Sequence, residues 1–356
     1  MLIQDGIASG LHIGAQVFVS RDGSPVFEFA TGESRPGVEM TPETVMLWLS
    51  ATKPLGAVAI AQLWEKGKLD LDDRVAKFIP KFGVNGKEPI TLRHILTHTA
   101  GFRSELRWTL DDWETVIARI CNSKLETGWI PGRKAGYHVS SSWFILGEIV
   151  RCIDGRAFEK YVEEEIFVPL GMSDCWLAIT PDHYRTYGDR IGIMYSTETD
   201  KPHPQKYDTE EYSTLCRPGA SGHGPIRELA RFYEMLLNHG TRNGARILSP
   251  QTIEALTARH RAGMYDHTFS HVMDWGLGII PNNNIYGADT VPYSYGKYAS
   301  PRAFGHSGSQ SSCAFADPEH NLVVAWVFNG MCGEEKHNQR QRELNAAIYK
   351  DLGLVE

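Results

Sequence analysis

Ser50-Ala51-Thr52-Lys53 is the sharpest chemical feature of this 356-residue chain. A serine hydroxyl is a poor nucleophile until a nearby base takes its proton. Residues at i and i+3 share one face of a helix, so the Lys53 amine can reach the Ser50 hydroxyl. For that task the amine must be neutral, and burial must lower its pKa from ~10.4 toward ~7–8. Pro54 follows, and proline is tolerated in a helix only in the first turn, where its missing N–H is not needed. Ser50 is therefore expected at or just before a helix start. Its own N–H is free there, and the positive helix end favours a developing oxyanion. The competing reading makes Ser50 an N-cap and Lys53 a surface residue. A second S-x-x-K, Ser294-Tyr295-Gly296-Lys297, follows Pro292, contains a glycine and reads as loop.

Two further groups can join Ser50. Tyr137 is a phenol six residues after Pro131, and beside a neutral lysine it can relay protons. A tyrosine alone is more often a core or surface residue. In His306-Ser307-Gly308-Ser309 the glycine allows a ligand to approach the backbone, so the N–H of Ser309 can be a second oxyanion donor. A plain Gly-Ser loop is the alternative. His94 and His98 have i, i+4 spacing, but the residues between them lack the glutamate of a zinc protease, so they read as a cap or satisfied core histidines. The chain has no G-x-S-x-G elbow, no Walker loop and no G-x-G-x-x-G.

The elements that must position these groups follow from periodicity. Ala15–Ser20 and Pro25–Ala30 read as strands joined at Arg21-Asp22-Gly23-Ser24. Thr41-Pro42-Glu43-Thr44 opens a long helical pattern that reaches Lys66 and is stopped by Gly67. From 68 to 219 helical patterns dominate, and the polar, tyrosine-rich stretch 182–219 reads as a long loop or substrate-side flap. Pro225–Leu237 is an amphipathic helix, and Asn243-Gly244 marks a turn. Trp275–Ile280 is a candidate strand. Ser312–Ala316 and Leu322–Phe328 form a hairpin around Asp317–Asn321, and a last helix spans Asn338–Lys350. Strands at both chain ends with helices between predict an α/β fold. Its antiparallel sheet is built from both termini (1–67 and 220–356) with flanking helices, and a mainly helical lobe (68–219) is inserted.

Composition narrows the function classes. Hydrophobic residues make up 42% and charged residues 22%, as in an ordinary globular protein. A net charge of −7 and the lack of a basic stripe argue against nucleic-acid binding. No apolar run reaches the ~18 residues of a membrane span. The opening Met1-Leu2-Ile3-Gln4-Asp5 lacks the pattern of a secretory leader, which predicts a cytoplasmic location and no membrane partner. The six cysteines include no C-x-x-C pair and read as reduced thiols.

Taken together, these elements resemble the serine β-lactamase-like family, which includes class C β-lactamases, DD-peptidases, lactamase-like esterases and acyltransferases. Its signature is S-x-x-K, then Y-x-N, then K-T-G or H-x-G, and Ser50-Lys53, Tyr137 and His306-Ser307-Gly308 stand at those places. Thr91–Gly101 is similar to the family's "T-x-R-H-L-L-T-H-T-S-G" segment, Pro169-Leu170-Gly171-Met172 to its "P-L-G-M", and Trp275-Gly276-Leu277-Gly278 to another common strand. The resemblance implies a covalent serine mechanism on an ester or amide. Ser50 attacks the acyl carbonyl, Lys53 and Tyr137 move the proton, and the N–H groups of Ser50 and Ser309 hold the oxyanion. His306, Ser307, Gly308 and His138 are expected to contact substrate. The expected partners are a small acyl substrate and an amine or alcohol acceptor, with no metal and no organic cofactor. The departures are Tyr137-His138-Val139 in place of Y-x-N, and His306 in place of the K-T-G lysine. Val139 has no side-chain hydrogen-bonding group, which disfavours efficient β-lactam hydrolysis. A neutral histidine weakens recognition of a substrate carboxylate. Acyl hydrolysis and acyl transfer both stay open, as does a non-catalytic, penicillin-binding-like protein that holds acyl or peptide ligands.

Overall fold

The computed structural model describes residues 1–103 and 109–355. Its main sheet has seven strands. They are β1 (Gly14–Arg21), β2 (Ser24–Arg35), β3 (Val38–Glu39), β4 (Ile280–Pro281), β5 (Phe304–Gly308), β6 (Ser312–Asp317) and β7 (Leu322–Phe328). The spatial order is β4-β5-β6-β7-β1-β2-β3. Every neighbouring pair is antiparallel, and β1 meets β7 in the register Val17↔Trp326. The two ends of the chain thus close one sheet, as the sequence predicts.

Strands β6 and β7 are buried at every position, which fits a sheet covered on both faces. Period-2 alternation divides their side chains. Ala314, Ala316, Val323, Ala325 and Val327 face the helix Ile226–Leu237 in the larger core. Cys313, Phe315, Val324, Trp326 and Phe328 face the helix Glu334–Asp351, meeting Leu344, Ile348 and Tyr349. The tight turns carry the expected left-handed residues, Asp22 and Gly23 in one hairpin and Asn243 and Gly244 in another.

Four local expectations are corrected. The pattern after Thr44 is not one helix: Met46–Leu47 is a short strand and Leu49–Thr52 a 3-10 turn, and the α-helix begins at Lys53. The stretch 182–219 is not a free flap. It holds the helices Pro181–Tyr187 and Glu210–Ser213 and the strand Tyr195–Ser196, which pairs with Gly330–Met331. Buried Ile191, Met194 and Asp208 anchor it, and the Met194 N–H donates to Asp208 Oδ2 at 2.8 Å. In Trp275–Ile280 only Ile280 enters the sheet, as part of β4. A helix Leu2–Ala8 precedes β1, and the last helix starts at Glu334 rather than Asn338. Among the described residues no helix is long and apolar enough to cross a membrane.

Candidate active site

Ser50 lies in the 3-10 turn that leads into the helix Lys53–Glu65. That helix is buried from Lys53 to Leu63, so it runs through the core rather than along the surface. Pro54 sits in its first turn. Leu49, just before the serine, has φ of 50°, a left-handed conformation that is costly for a leucine. Packing holds the turn there. The Trp48 N–H donates to Gly222 O at 2.7 Å, and the Trp48 indole donates to Gly224 O at 3.0 Å. Ser312 Oγ of β6 donates to Trp48 O at 2.6 Å.

Lys53 is fully buried. Its Nζ lies 2.9 Å from Ser50 Oγ and donates to the carbonyl of Gly219 at 2.8 Å. The aromatic faces of Tyr137 and Trp143 lie 5.1 and 5.7 Å from the amine. Among the described residues no carboxylate pairs with it, so burial holds its pKa well below the ordinary lysine range. A neutral amine that spends one N–H on Gly219 turns its lone pair to the serine hydroxyl. This geometry sets an amine of lowered pKa against a serine hydroxyl.

Tyr137 is buried, and its phenol interacts with the Ser50 side chain. Burial raises its pKa, so the ring stays a phenol at neutral pH. His98, Phe269 and Trp275 enclose the ring, with centroids 4.7, 4.9 and 5.6 Å away. Burial therefore pushes the lysine toward the free amine and the tyrosine toward the protonated phenol beside one hydroxyl.

Strand β5 brings His306 to this cluster. His306 is buried, and its Nδ1 donates to the Ser307 carbonyl at 2.8 Å, which leaves Nε2 unprotonated. That Nε2 has no hydrogen-bond partner among the described residues. Burial pushes the imidazole down to about 3, so it is neutral throughout the physiological range. Ser309 follows the strand end and is partly exposed.

Three residues expected at the substrate make contacts within the protein. Ser307 alternates to the opposite face of β5, where it accepts from Gln341 Nε2 at 3.3 Å. At Gly308 the protein itself leaves no room for a side chain. A Cβ there would collide with the Trp48 carbonyl and the Ser312 hydroxyl. This close approach seats the end of β5 against the Ser50 turn. His138 is fully buried, and its Nε2 accepts from the N–H groups of Gly101 and Phe102 at 3.1 and 3.3 Å. Val139, in contrast, is 46% exposed. His94 caps the short helix Leu92–Leu96 together with Thr91, and His98 lies beyond that helix as a buried histidine.

Sequence reasoning missed the groups that hold the centre together. Gly219 is 166 residues from Lys53. It belongs to Gly219-Ala220-Ser221-Gly222-His223-Gly224, whose three glycines pass against Trp48, Thr52 and Trp143 with no room for a Cβ. That glycine density is the signal that could have marked the segment. Asp266 and Arg261, which brace Tyr137 from behind, carry no local signal.

The family model described as Beta-lactamase matches residues 2–348. The chain is 25% identical to the Esterase/beta-lactamase LipL of Mycobacterium tuberculosis, over 89% of this chain and 77% of that protein. A penicillin-binding protein homolog from Caulobacter crescentus superposes with a TM-score of 0.83 at 28% identity, covering 98% of this chain and 95% of its own. A family VIII carboxylesterase superposes with a TM-score of 0.79 at 24% identity, covering 97% and 95%, a likeness of fold.

Proposed function

The chain belongs to the beta-lactamase family over nearly its whole length, and on that premise we propose that it is a serine acyl-transfer enzyme that forms an acyl-enzyme on Ser50 from an ester or amide. The observation that carries this reading is the fully buried Lys53 amine, 2.9 Å from Ser50 Oγ and otherwise bound to a carbonyl. The amine takes the serine proton as the hydroxyl oxygen attacks the acyl carbon. The carbonyl oxygen becomes an oxyanion facing the N–H groups of Ser50 and Ser309, where each donor is worth roughly 3 kcal/mol. The Tyr137 phenol donates its proton to the leaving oxygen or nitrogen and is reprotonated from the Lys53 ammonium. Water or a second acceptor then attacks the acyl-enzyme, with Lys53 again as base.

His306 shapes the choice of substrate. A neutral imidazole with a bare Nε2 offers an acceptor where a lysine would offer a cation, so it does not favour a substrate carboxylate. Exposed Val139 gives no amide to an acylamino side chain. Simple esters and uncharged amides therefore suit the site better than β-lactam acids. Whether water or an amine or alcohol completes turnover is read by partitioning. 4-Nitrophenyl acetate is offered with and without a primary amine. Amide formed at the expense of free acid identifies a transacylase. Acid formed at one rate regardless of amine identifies a hydrolase.

A further inference from the structure

Tyr137 lies on a short extended segment that is gripped from both sides. On one side the Gly136 N–H donates to His98 O at 3.0 Å, and the His138 N–H donates to His98 Nδ1 at 3.0 Å. On the other side runs the ribbon Tyr265–Asp266 and His271–Val272 with the loop between its strands. The His267 N–H donates to Ala135 O at 2.9 Å. Both backbone groups of Tyr137 end on this loop. Its N–H donates to Asp266 Oδ1 at 3.0 Å, and its carbonyl accepts from Thr268 Oγ1 at 3.0 Å.

Asp266 does more than cap one amide. It is fully buried, and the same Oδ1 accepts from the N–H groups of Thr268 and Phe269 at 2.9 and 3.1 Å. It thereby seats Phe269, whose ring packs on Tyr137 at 4.9 Å. Its Oδ2 lies 3.1 Å from the buried guanidinium of Arg261. Arg261 donates in turn to Thr97 O at 3.2 Å and Met273 O at 3.0 Å, and lies 5.2 Å over the Trp275 ring. Trp275 is another wall of the Tyr137 ring. One buried ion pair therefore fixes the backbone of Tyr137 and two of its ring neighbours.

We propose that Asp266 and Thr268 are positioning residues that aim the Tyr137 phenol at Ser50. The proposal rests on the reading of Tyr137 as proton carrier. Among the described residues the phenol has no polar side-chain anchor besides Ser50, so its aim comes from backbone tethers and ring contacts. Displacing such a group by ~1 Å can cost on the order of 10²-fold in rate.

The test is a double-mutant cycle on turnover of 4-nitrophenyl acetate. Thr268→Val removes one tether at an exposed residue and keeps the side-chain shape. The expected result is a kcat about tenfold lower with KM unchanged. Thr268→Ser, which keeps the hydroxyl, restores near-parental kcat. In a Tyr137→Phe background, Thr268→Val costs nothing further. Asp266→Asn, followed with its melting temperature, should show the same dependence on Tyr137 with a larger loss. Equal losses from Thr268→Val in both backgrounds, or no loss in the parent, would overturn the positioning role while leaving the serine mechanism intact. A Tyr137→Phe variant with parental rates would overturn the proton-carrier reading and the positioning role with it.

Discussion

Lys53→Met should make the protein inactive and more robust at the same time. The side chain is fully buried without a carboxylate partner, so its charged form is disfavoured in the fold. Loss of a general base costs ~10²–10⁴-fold. At ~1.4 kcal/mol per tenfold this raises the acylation barrier by ~3–5.5 kcal/mol. Stability moves the other way. In the unfolded chain the amine titrates near ~10.4. Between that value and its depressed folded value, the unfolded state holds one more proton than the folded state. Wild-type stability therefore rises with pH across this window, by up to ~1.4 kcal/mol per pH unit, and falls as pH is lowered through it. A methionine does not titrate. The assay is urea unfolding of both proteins at pH 8.5 and 9.5, alongside acylation by 4-nitrophenyl acetate. Taking the difference between the two proteins removes the shared cysteine and tyrosine titrations. The wild type should gain about 1 kcal/mol on the variant over that step. Parallel stability curves, or wild-type acylation by Lys53→Met, would refute a neutral Lys53 acting as base.

Three other outcomes follow from the same geometry. The acylation rate at saturating ester should rise with pH through a single limb set by Lys53. It should have no falling limb below pH ~10, because burial lifts Tyr137 above the ordinary phenol range. Stopped-flow rates from pH 5 to 10 check this, and His306 should add no inflection because it titrates at about 3. Gly308→Ala drives a Cβ into the Trp48 carbonyl and the Ser312 hydroxyl. It should lower stability by ~1–3 kcal/mol and reduce kcat by displacing Ser309, as read from urea midpoints and turnover. His306→Lys places a second amine in the buried cluster beside Lys53. It should lower the melting temperature and slow acylation, where a carboxylate-binding role would instead show a gain on anionic substrates.

What the sequence made legible was local. The S-x-x-K pair lies within one turn, so helix geometry alone brings Lys53 to Ser50. The hairpins at Asp22-Gly23 and Asp317–Asn321 are set by residues that adopt left-handed backbone, Asn321 among them. The uninterrupted apolar run Leu322–Phe328 marked a strand, and it is one. What escaped was set by distance. Gly219 reaches Lys53 across 166 residues and Asp266 reaches Tyr137 across 129, and neither leaves a periodic trace. The intramolecular contacts of Ser307, Gly308 and His138 were also hidden, for a physical reason. A motif gives residue order, whereas strand alternation and burial decide which side chains turn toward the cleft. The helical pattern before Lys53 misled because Leu49 takes a strained left-handed turn that periodicity cannot register.

The central claim is that a neutral buried amine makes Ser50 nucleophilic. Intact-mass analysis after exposure to a fluorophosphonate probe addresses it most directly. The account predicts one adduct per chain on the wild type, none on Ser50→Ala, and labelling of Lys53→Met slowed at least a hundredfold. An adduct that persists in Ser50→Ala, or a wild type that stays unlabelled while correctly folded, would contradict it.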